Sequence, residues 1–349
     1  MRCRLCVITL CLGMGSAGAM VAATARAAEP LTLEEIRSQL AKERSQLQNL
    51  YIEVTTDYKL AVDPKVYLTL PGHNKNVILV KETSQYAFKG EKHYKRTLCP
   101  AVVKSPWPLE PLKGDNKPRD EYHLAPDETV VCTGKLEWER RIMEKGKPSN
   151  LFIMGADSSG HWGQPPGYLI SIGWAIPDPT EHNAEMVRAQ HMNCLPDLFT
   201  AEPYTVAKDV AVVDGARCAV LHNHREVKVY VAGGGRKPQP LDDTIWLDLD
   251  HGLAMKQRDN VIGTDHVTRT LCGDFVEILP GLWFPKHVLV QCLVPLSGPA
   301  EYRGKPMLVG DTRLTKWVVN QVPDDLFDIV PRPAKDEQVY DMRMPQGVR

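Results

Sequence analysis

Histidine and cysteine side chains that could bind a metal are concentrated in two short stretches of the chain. His191 and Cys194 are three residues apart, which places them on one face of a helix; His222 and His224 are two apart, which places them on one face of a strand. Imidazole nitrogen and thiolate sulfur are common zinc ligands. A metal-dependent hydrolase that uses His191, His222 and His224 is therefore one hypothesis, and it requires the two stretches to converge in space.

Other features of an enzyme are scarce in the sequence. It has no G-x-S-x-G nucleophile motif, no Walker A phosphate loop and no H-E-x-x-H zinc motif. Surface histidines, or histidines bonded to neighbouring side chains, explain the two stretches better than a metal site does. We therefore predict a protein that is not an enzyme, with no cofactor and no metal site.

The composition excludes several classes of function. The 349 residues carry 42 Lys and Arg against 43 Asp and Glu, a net charge of −1, so the chain lacks the overall basic charge that holds nucleic acid. A hydrophobic content of 43% and a mean hydropathy of −0.28 exclude a disordered chain and a polytopic membrane protein. We expect no nucleic-acid partner and no membrane-spanning segment.

The first 27 residues have the pattern of a secretory signal peptide. Arg2 and Arg4 precede a short apolar run over residues 5–12, and Ala25-Arg26-Ala27 supplies the small residues of a cleavage site. The run is shorter than the about 20 apolar residues that span a bilayer, so cleavage near Ala27 is favoured over an uncleaved anchor. These features predict a periplasmic or secreted protein.

Six cysteines follow the predicted signal peptide, and an even number in an exported chain is typical of disulfide bonds. Pairing of neighbours would join Cys99 to Cys132 across a proline-rich loop and Cys272 to Cys292 within one hairpin. Buried free thiols are the alternative. The disulfide candidates are Cys99, Cys132, Cys194, Cys218, Cys272 and Cys292.

An amphipathic helix and then a strand open the mature chain. Thr32 and Glu35 form a capping-box pattern, and apolar residues at helical spacing predict a helix over residues 33–49 with one apolar face. The period then changes to two, with Ile52, Val54 and Tyr58 alternating with polar residues. This alternation indicates a strand that is buried on one face.

Turn residues then separate a series of strands. Lys89-Gly90, Asp214-Gly215 and Pro280-Gly281 each lie between alternating segments and predict tight hairpins. Residues 100–128 contain six prolines, which predicts an irregular insertion. Residues 155–180 are rich in Gly, Pro and Ser and are the predicted lid.

Successive hairpins predict a mainly β fold with helices, of the α+β class. We expect a curved antiparallel sheet, or unclosed β-barrel, of about 10–12 strands wrapped around the N-terminal helix, because strands with one apolar face need something apolar to cover it. The mature chain, residues 28–349, is expected to form a single domain that carries the insertion at 100–128.

The order of these features resembles the LolA-like family of bacterial outer-membrane lipoprotein-sorting carriers. The resemblance lies in residues 244–248 with Gly252, in the segment 281–286 and in the closing segment 323–328, in an exported chain that opens with an amphipathic helix. It implies an unclosed barrel with helices across its mouth and a hydrophobic cavity that accepts acyl chains. The chain differs from the small carriers in its length, its insertion and its six mature cysteines.

The resulting hypothesis is a carrier that shelters a lipid or lipoprotein acyl chain without covalent chemistry. Apolar burial contributes about 0.8 kcal/mol per methylene group, which is enough to hold a long chain. The alternative is an envelope protein–protein interaction or sensor module whose cavity is filled. The residues predicted to line the cavity are Ile52, Val54, Tyr58, Trp138, Trp246 and Trp283.

Overall fold

The computed structural model describes residues 31–74, 77–109, 119–133, 136–142, 149–155, 167–174, 194–230, 236–264 and 266–341. The predicted signal peptide lies outside these residues. The described helices are short apart from the first: α1 (Leu33–Gln46), α2 (Pro64–Tyr67), α3 (Gly167–Ser171), α4 (Leu195–Ala201) and a 3₁₀ turn at Asp324–Leu326. None of these helices has the length and apolar character that crossing a membrane would require.

Seventeen strands are described, more than the number predicted. Those before α3 are β1 (Asn49–Leu60), β2 (Lys81–Lys89), β3 (Lys92–Leu98), β4 (Val102–Leu109), β5 (Arg119–His123), β6 (Asp127–Cys132), β7 (Leu136–Ile142) and β8 (Asn150–Gly155). Those after α4 are β9 (Thr205–Val206), β10 (Ala211–Val213), β11 (Ala216–Tyr230), β12 (Arg236–Asp248), β13 (Ala254–Ile262), β14 (His266–Leu279), β15 (Leu282–Leu293), β16 (Pro306–Val319) and β17 (Gln338–Asp341).

Fifteen of these strands form one curved sheet that does not close on itself. Strands β10 to β16 pair in sequence order, β16 then pairs with β1, and the order continues through β2, β3, β6, β7 and β8 to β17. All neighbours are antiparallel except β8 and β17. The mainly β, unclosed architecture predicted from the hairpin pattern is therefore confirmed, and β1 joins its two halves.

Helix α1 packs on one face of this sheet, which we call the inner face. Its capping box is formed: the Thr32 hydroxyl accepts a hydrogen bond from the Glu35 amide, and the Glu35 carboxylate accepts one from the Thr32 amide at 2.7 Å. Ile36 and Leu40 are fully buried against Ile52 of β1. The helix ends at Gln46, three residues earlier than predicted.

The opposite, outer face carries a second apolar cluster near β3, β6 and β7. Trp138 and Val131 pack there with Phe327, which belongs to the segment after β16. The indole nitrogen of Trp138 donates a hydrogen bond to the carbonyl of Ile329 at 3.0 Å. The C-terminal segment therefore covers the outer face where α1 does not reach, and each half of the sheet is buried from a different side.

The proline-rich insertion has more regular structure than predicted. Strands β4 and β5 form a separate two-stranded sheet, although β4 contains Pro106 and Pro108. The register shifts between Lys104 and Leu109, so both prolines lie where the pairing is interrupted, which is the position in a sheet that tolerates a missing amide hydrogen. Trp107 between them stacks on Tyr67 of α2 with ring centroids 5.3 Å apart, which fixes the insertion to the body of the protein.

The predicted disulfide pairs are not formed, since no disulfide bond joins these six cysteines in the described parts of the chain. Cys272 lies opposite Val288, whereas Cys292 lies opposite Thr268, four residues along the same strand. Cys132 lies opposite His93, while Cys99 follows the far end of β3. Cysteines this far apart along a ladder exceed the about 7 Å between Cα atoms that a disulfide can bridge, so the neighbour pairings are wrong.

Candidate functional site

The inner face changes character across the sheet. Under α1 and α4 it is apolar and filled by side chains such as Leu221, Ile245 and Phe284. On β2, β3, β6 and β7 the same face presents ionisable groups, because its alternate positions are occupied by residues such as Glu82 and Glu139. The candidate site lies where these two regions meet, beneath α3.

A partly enclosed cavity of about 130 Å³ lies between α3 and the inner face. Val54 and Tyr58 of β1 and Val290 of β15 form its apolar wall. Hydroxyl groups and one carboxyl group line the rest: Thr56, Glu82, Ser84, Tyr168, Ser171 and Thr312. The cavity is thus amphipathic, and its volume is below the about 300 Å³ at which pockets for drug-sized ligands begin.

Gly310 of β16 allows the ring of Tyr58 to lie against the sheet in this cavity. A Cβ atom at position 310 would come within 3.1 Å of the Tyr58 ring, closer than ordinary van der Waals contact. Tyr58 and Gly310 are direct partners across the β1–β16 ladder. The missing side chain at Gly310 therefore sets the position of the Tyr58 ring and with it the shape of the cavity wall.

Burial shifts the pKa of two ionisable groups in the cavity. It raises the pKa of Glu82, and the Glu128 carboxylate adds to this shift while Lys95 opposes it. Burial also raises the pKa of Tyr58, and Glu82 raises it further. The cavity thus disfavours the charged forms of both groups.

Helix α3 is held on the sheet by one buried hydrogen bond. The hydroxyl of Tyr168 donates to the carbonyl of Pro285 on β15 at 2.6 Å, and burial raises the pKa of this phenol well above its usual value. Leu169 beside it is fully buried in the main core. Residues 167–174 belong to the predicted lid at 155–180, and in that stretch the structure describes only these residues and Gly155.

A second polar group lies on the inner face beyond the cavity, in a row across three neighbouring strands. His93 of β3 is paired with Cys132 of β6, and Cys132 is paired with Glu137 of β7. All three side chains are buried. The imidazole Nε2 of His93 lies 3.6 Å from Oε2 of Glu137. The donor atoms of the three residues lie within 4.8 Å of one another, which makes this the one group in the described parts of the chain able to hold a metal ion.

Two further carboxyl groups lie next to this row. Burial raises the pKa of Glu139, and a hydrogen bond with Glu128 raises it further. Arg141 lies two residues after Glu139 on β7. The Arg141 guanidinium donates to both carboxyl groups, at 2.9 Å to Oε1 of Glu128. Glu128 and Glu139 thus share one guanidinium and are held close together within the sheet.

The residues predicted to line one cavity do not lie together. Val54 and Tyr58 do line the cavity under α3, whereas Ile52 is buried beneath α1. Trp138 lies on the outer face, and Trp246 alternates with the inner-facing Ile245 and Leu247, so it also faces outward. Alternation identifies residues that share a face of one strand, but it does not relate that face to the face of a distant strand.

Trp283 lines a different cleft, between α1 and the turn that joins β14 to β15. This cleft has a volume of about 530 Å³ and also contains Glu43 of α1 and Gly252. The Trp283 ring makes an edge-on contact with His251, with centroids 4.9 Å apart. The cleft is separate from the α3 cavity, so Trp283 and Tyr58 line different recesses of the structure.

The histidines of the hydrolase hypothesis do not form a site in the described residues. His222 and His224 share an exposed face of β11 as predicted, but His222 contacts the Thr244 hydroxyl and His224 contacts Asp242 at 2.5 Å. Cys194 is buried next to Arg44 of α1 instead. His191 lies outside the described residues. The structure thus gives no support to convergence of these groups.

The buried row was missed because no single motif contains it. His93, Cys132 and Glu137 lie far apart in sequence and meet only through the pairing of β3, β6 and β7. The hairpin of β6 and β7 was the available signal, since a short turn after Cys132 fixes its partner as Glu137.

Solved structures similar to this chain share little sequence with it. A DUF1329 family protein from Desulfovibrio piger is 10% identical, with 85% of this chain and 97% of that chain covered and a TM-score of 0.37. An outer membrane lipoprotein-sorting protein domain from Vibrio parahaemolyticus is 8% identical, with 85% and 97% covered and a TM-score of 0.37. The lipoprotein LppX from Mycobacterium tuberculosis is 9% identical, with 84% and 98% covered and a TM-score of 0.27.

No protein-family model and no curated protein sequence matches the chain.

Proposed function

We propose that this protein is a non-enzymatic binding protein that holds the end of an acyl chain between α3 and the inner face of the sheet. The observation that carries this proposal is the partly enclosed cavity of about 130 Å³ with Val54, Tyr58 and Val290 as its apolar wall. A cavity of about 150 Å³ holds a molecule the size of benzene, so this smaller cavity has room for only the last few carbons of a chain, placed against the apolar wall. The rest of the ligand would lead out past α3.

The inner face is only partly filled by α1. Ile36 and Leu40 are buried in the main core, but Leu33 is half-buried and none of the three lines the α3 cavity. A longer stretch of ligand would enter if α3 moved away from the sheet. The hydrogen bond from Tyr168 to Pro285 opposes that movement, so we propose that α3 acts as the cover of the site.

Fluorescent fatty-acid displacement tests this proposal directly. A dansyl-labelled fatty acid is bound first and then displaced by unlabelled fatty acids of 6 to 18 carbons. Each methylene that enters the cavity should improve affinity by up to about fourfold, the equivalent of about 0.8 kcal/mol, until the cavity is full. Val290→Phe reduces the cavity volume and should weaken binding at least tenfold.

Trp138→Phe is the matched control, because it changes an aromatic residue on the outer face and should leave the affinity unchanged. The proposal is overturned if the wild-type protein shows no saturable binding, or if Val290→Phe, folded by circular dichroism, binds as tightly as the wild type.

An interaction module is the second candidate function, favoured by the edge of the sheet at β17. This strand is the last in the sheet order, and its Val339 and Tyr340 are exposed. An unprotected edge with apolar side chains can add a strand from another protein. A photo-cross-linking residue at position 339 should then yield one discrete adduct in the cell envelope, and the same residue at exposed Leu296, which lies in the loop between β15 and β16 and not on a sheet edge, should yield none.

We further propose that the protein is exported, because residues 1–27 have the pattern of a signal peptide. The purified native protein should begin at Ala28. Mass spectrometry of the intact protein measures this directly, and a mass that retains residues 1–27 would contradict export by cleavage.

A further inference from the structure

The buried row of His93, Cys132 and Glu137 brings three different donor groups to one point. The three residues occupy equivalent positions on adjacent strands, with Cys132 in the middle. Neighbouring strands are about 4.8 Å apart, so the backbones at His93 and Glu137 are separated by about twice that distance. Their side-chain atoms nevertheless come within 3.6 Å, which means that both side chains lean over Cys132.

The separation of these atoms fits a shared metal ion better than a direct hydrogen bond. A distance of 3.6 Å is too long for a hydrogen bond between nitrogen and oxygen, and Nε2 of His93 is buried with no hydrogen-bond partner among the described residues. In a tetrahedral zinc site with bonds of about 2.1 Å, two ligand atoms are about 3.4 Å apart. The distance between the imidazole nitrogen and the carboxylate oxygen is therefore close to the distance between two ligand atoms that bind the same zinc ion.

The chemistry of the donors selects the class of metal. One imidazole nitrogen, one thiolate sulfur and one carboxylate oxygen suit a borderline divalent ion such as Zn²⁺. Calcium and magnesium prefer sites made of oxygen atoms, and a thiolate is a poor ligand for them. Binding would release the thiol proton of Cys132 to solvent as the zinc–sulfur bond forms.

We propose that His93, Cys132 and Glu137 form a zinc-binding site that cross-links β3, β6 and β7. All three side chains are buried, so the sheet would enclose the ion, and three protein ligands leave the fourth position of a tetrahedral zinc ion to a water molecule. The site fixes the polar part of the inner face, where β3 is joined to β6 across the proline-rich insertion. This site is distinct from the α3 cavity and from the histidines on β11.

Cobalt substitution provides a spectroscopic test that does not depend on any activity. The mature chain, prepared under reducing conditions without metal, is titrated with Co²⁺, which reports a thiolate ligand through charge-transfer absorption in the near ultraviolet. We expect one equivalent to bind with this absorption and to be displaced by Zn²⁺. Added zinc should also raise Tm by about 5 °C or more.

Variants distinguish this site from binding elsewhere. Cys132→Ser should abolish the charge-transfer band and weaken zinc binding at least about 100-fold, measured by competition with a chromophoric chelator. Cys218→Ser, at a buried free cysteine on β11, is the matched control and should bind like the wild type. If Cys132→Ser fails to fold, His93→Gln and Glu137→Gln, which keep similar side-chain volumes, should each show the same loss of affinity.

The proposal is overturned by any of three results. The first is a wild-type protein that binds no stoichiometric cobalt, and the second is bound cobalt without the thiolate band. The third is wild-type affinity in folded variants at positions 93, 132 and 137. In each case the fatty-acid displacement assay on the same preparation shows separately whether the acyl-binding function holds.

Discussion

Arg258 of β13 and Asp243 of β12 form a two-pronged ion pair on the buried inner face of the sheet. The guanidinium donates to both carboxylate oxygens, at 2.9 and 2.7 Å, and the hydroxyl of Tyr204 donates to the same carboxylate at 2.5 Å. Asp243 is 2% exposed, so these hydrogen-bond donors, and not water, stabilise the charge of its carboxylate. The pair fixes the segment that follows α4 against the sheet.

Removing one partner of this pair should be strongly destabilising. Asp243→Leu leaves the Arg258 guanidinium buried without its carboxylate, and breaking a buried pair in this way costs about 3–5 kcal/mol of unfolding free energy. The double variant Asp243→Leu/Arg258→Met should recover most of the loss, because it leaves no buried charge. Urea unfolding of the three proteins measures both effects.

The exposed pair of Arg217 and Asp250 serves as the control for that experiment. Its guanidinium also donates to a carboxylate at 2.8 Å, but both side chains are about half exposed to water. Asp250→Asn should therefore change the unfolding free energy far less than Asp243→Leu does. Equal losses of unfolding free energy in the two variants would show that burial does not explain the contribution of the Arg258–Asp243 pair to stability.

Glu43 of α1 should make the stability of the protein depend on pH. Burial raises the pKa of its carboxyl group to about 7 in the folded state, while a hydrogen bond from Gln39 and the charge of Lys42 oppose the shift. In the unfolded chain this pKa is 4.5, so the folded state binds the proton more tightly. The cost of burying the charge is absent below pH 4.5, grows as pH rises and is complete above pH 7.

Glu43→Gln replaces the carboxyl group with a neutral one and should remove that cost. The variant should be more stable than the wild type by about 2 kcal/mol at pH 8 and should equal it near pH 4. Denaturant unfolding at the two pH values gives the comparison. The same stability difference at both pH values would mean that Glu43 does not change its protonation state between them.

Much of the local structure follows directly from turn chemistry in the sequence. Asp214 and Gly215 have φ angles of 47° and 81°, which are the values that a two-residue hairpin turn requires. Such turns pair strands that are adjacent in sequence, and this accounts for most of the sheet. The pairing of β1 with β16 was not predictable in this way, because it joins Leu50 to Val319 with no turn between them.

The end of α1 shows why a boundary cannot be read from periodicity alone. Leu47 continues the apolar spacing of the helix, yet the helix stops at Gln46. The side chain of Asn320, at the end of β16, donates to the Gln46 carbonyl at 2.8 Å and accepts from the amide of Gln48 at 2.8 Å. A distant residue therefore caps the helix, and only the β1–β16 pairing brings it there.

The candidate site was predictable only in part, for a similar reason. Val54 and Tyr58 were identified because they alternate on one strand, and the structure places both in the α3 cavity. Trp138 has the same alternation on β7 but faces the other side of the sheet. The assignment of faces depends on register with β1 across several strands, and a single sequence does not contain that register.

The capping box of α1 should contribute measurably to stability. Thr32→Ala removes the hydroxyl that accepts from the Glu35 amide and leaves that amide without its cap, which should cost about 1 kcal/mol of unfolding free energy. Thr32→Ser keeps the hydroxyl and should behave like the wild type. Thermal unfolding of both variants tests this, and an equal loss in the two would indicate that the methyl group of Thr32, rather than its hydroxyl, stabilises the helix start.

The six thiols should differ sharply in reactivity because four of them are buried. Burial raises the pKa of Cys194 and Cys272 to about 12 and that of Cys218 to about 11, so at pH 8 only about one in a thousand or fewer of these thiols is ionised. Cys99 and Cys292 are half-buried and should react first with a disulfide reagent such as dithionitrobenzoate.

Unfolding the mature chain in denaturant without reductant should therefore expose all six thiols, of which at most two react readily beforehand. A total of four or two after unfolding would mean that disulfide bonds form in the cell. Since the register separates Cys99 from Cys132 and Cys272 from Cys292, such bonds would require a change in strand pairing or links between different partners. Peptide mapping of the unreduced protein would then identify which strands had moved.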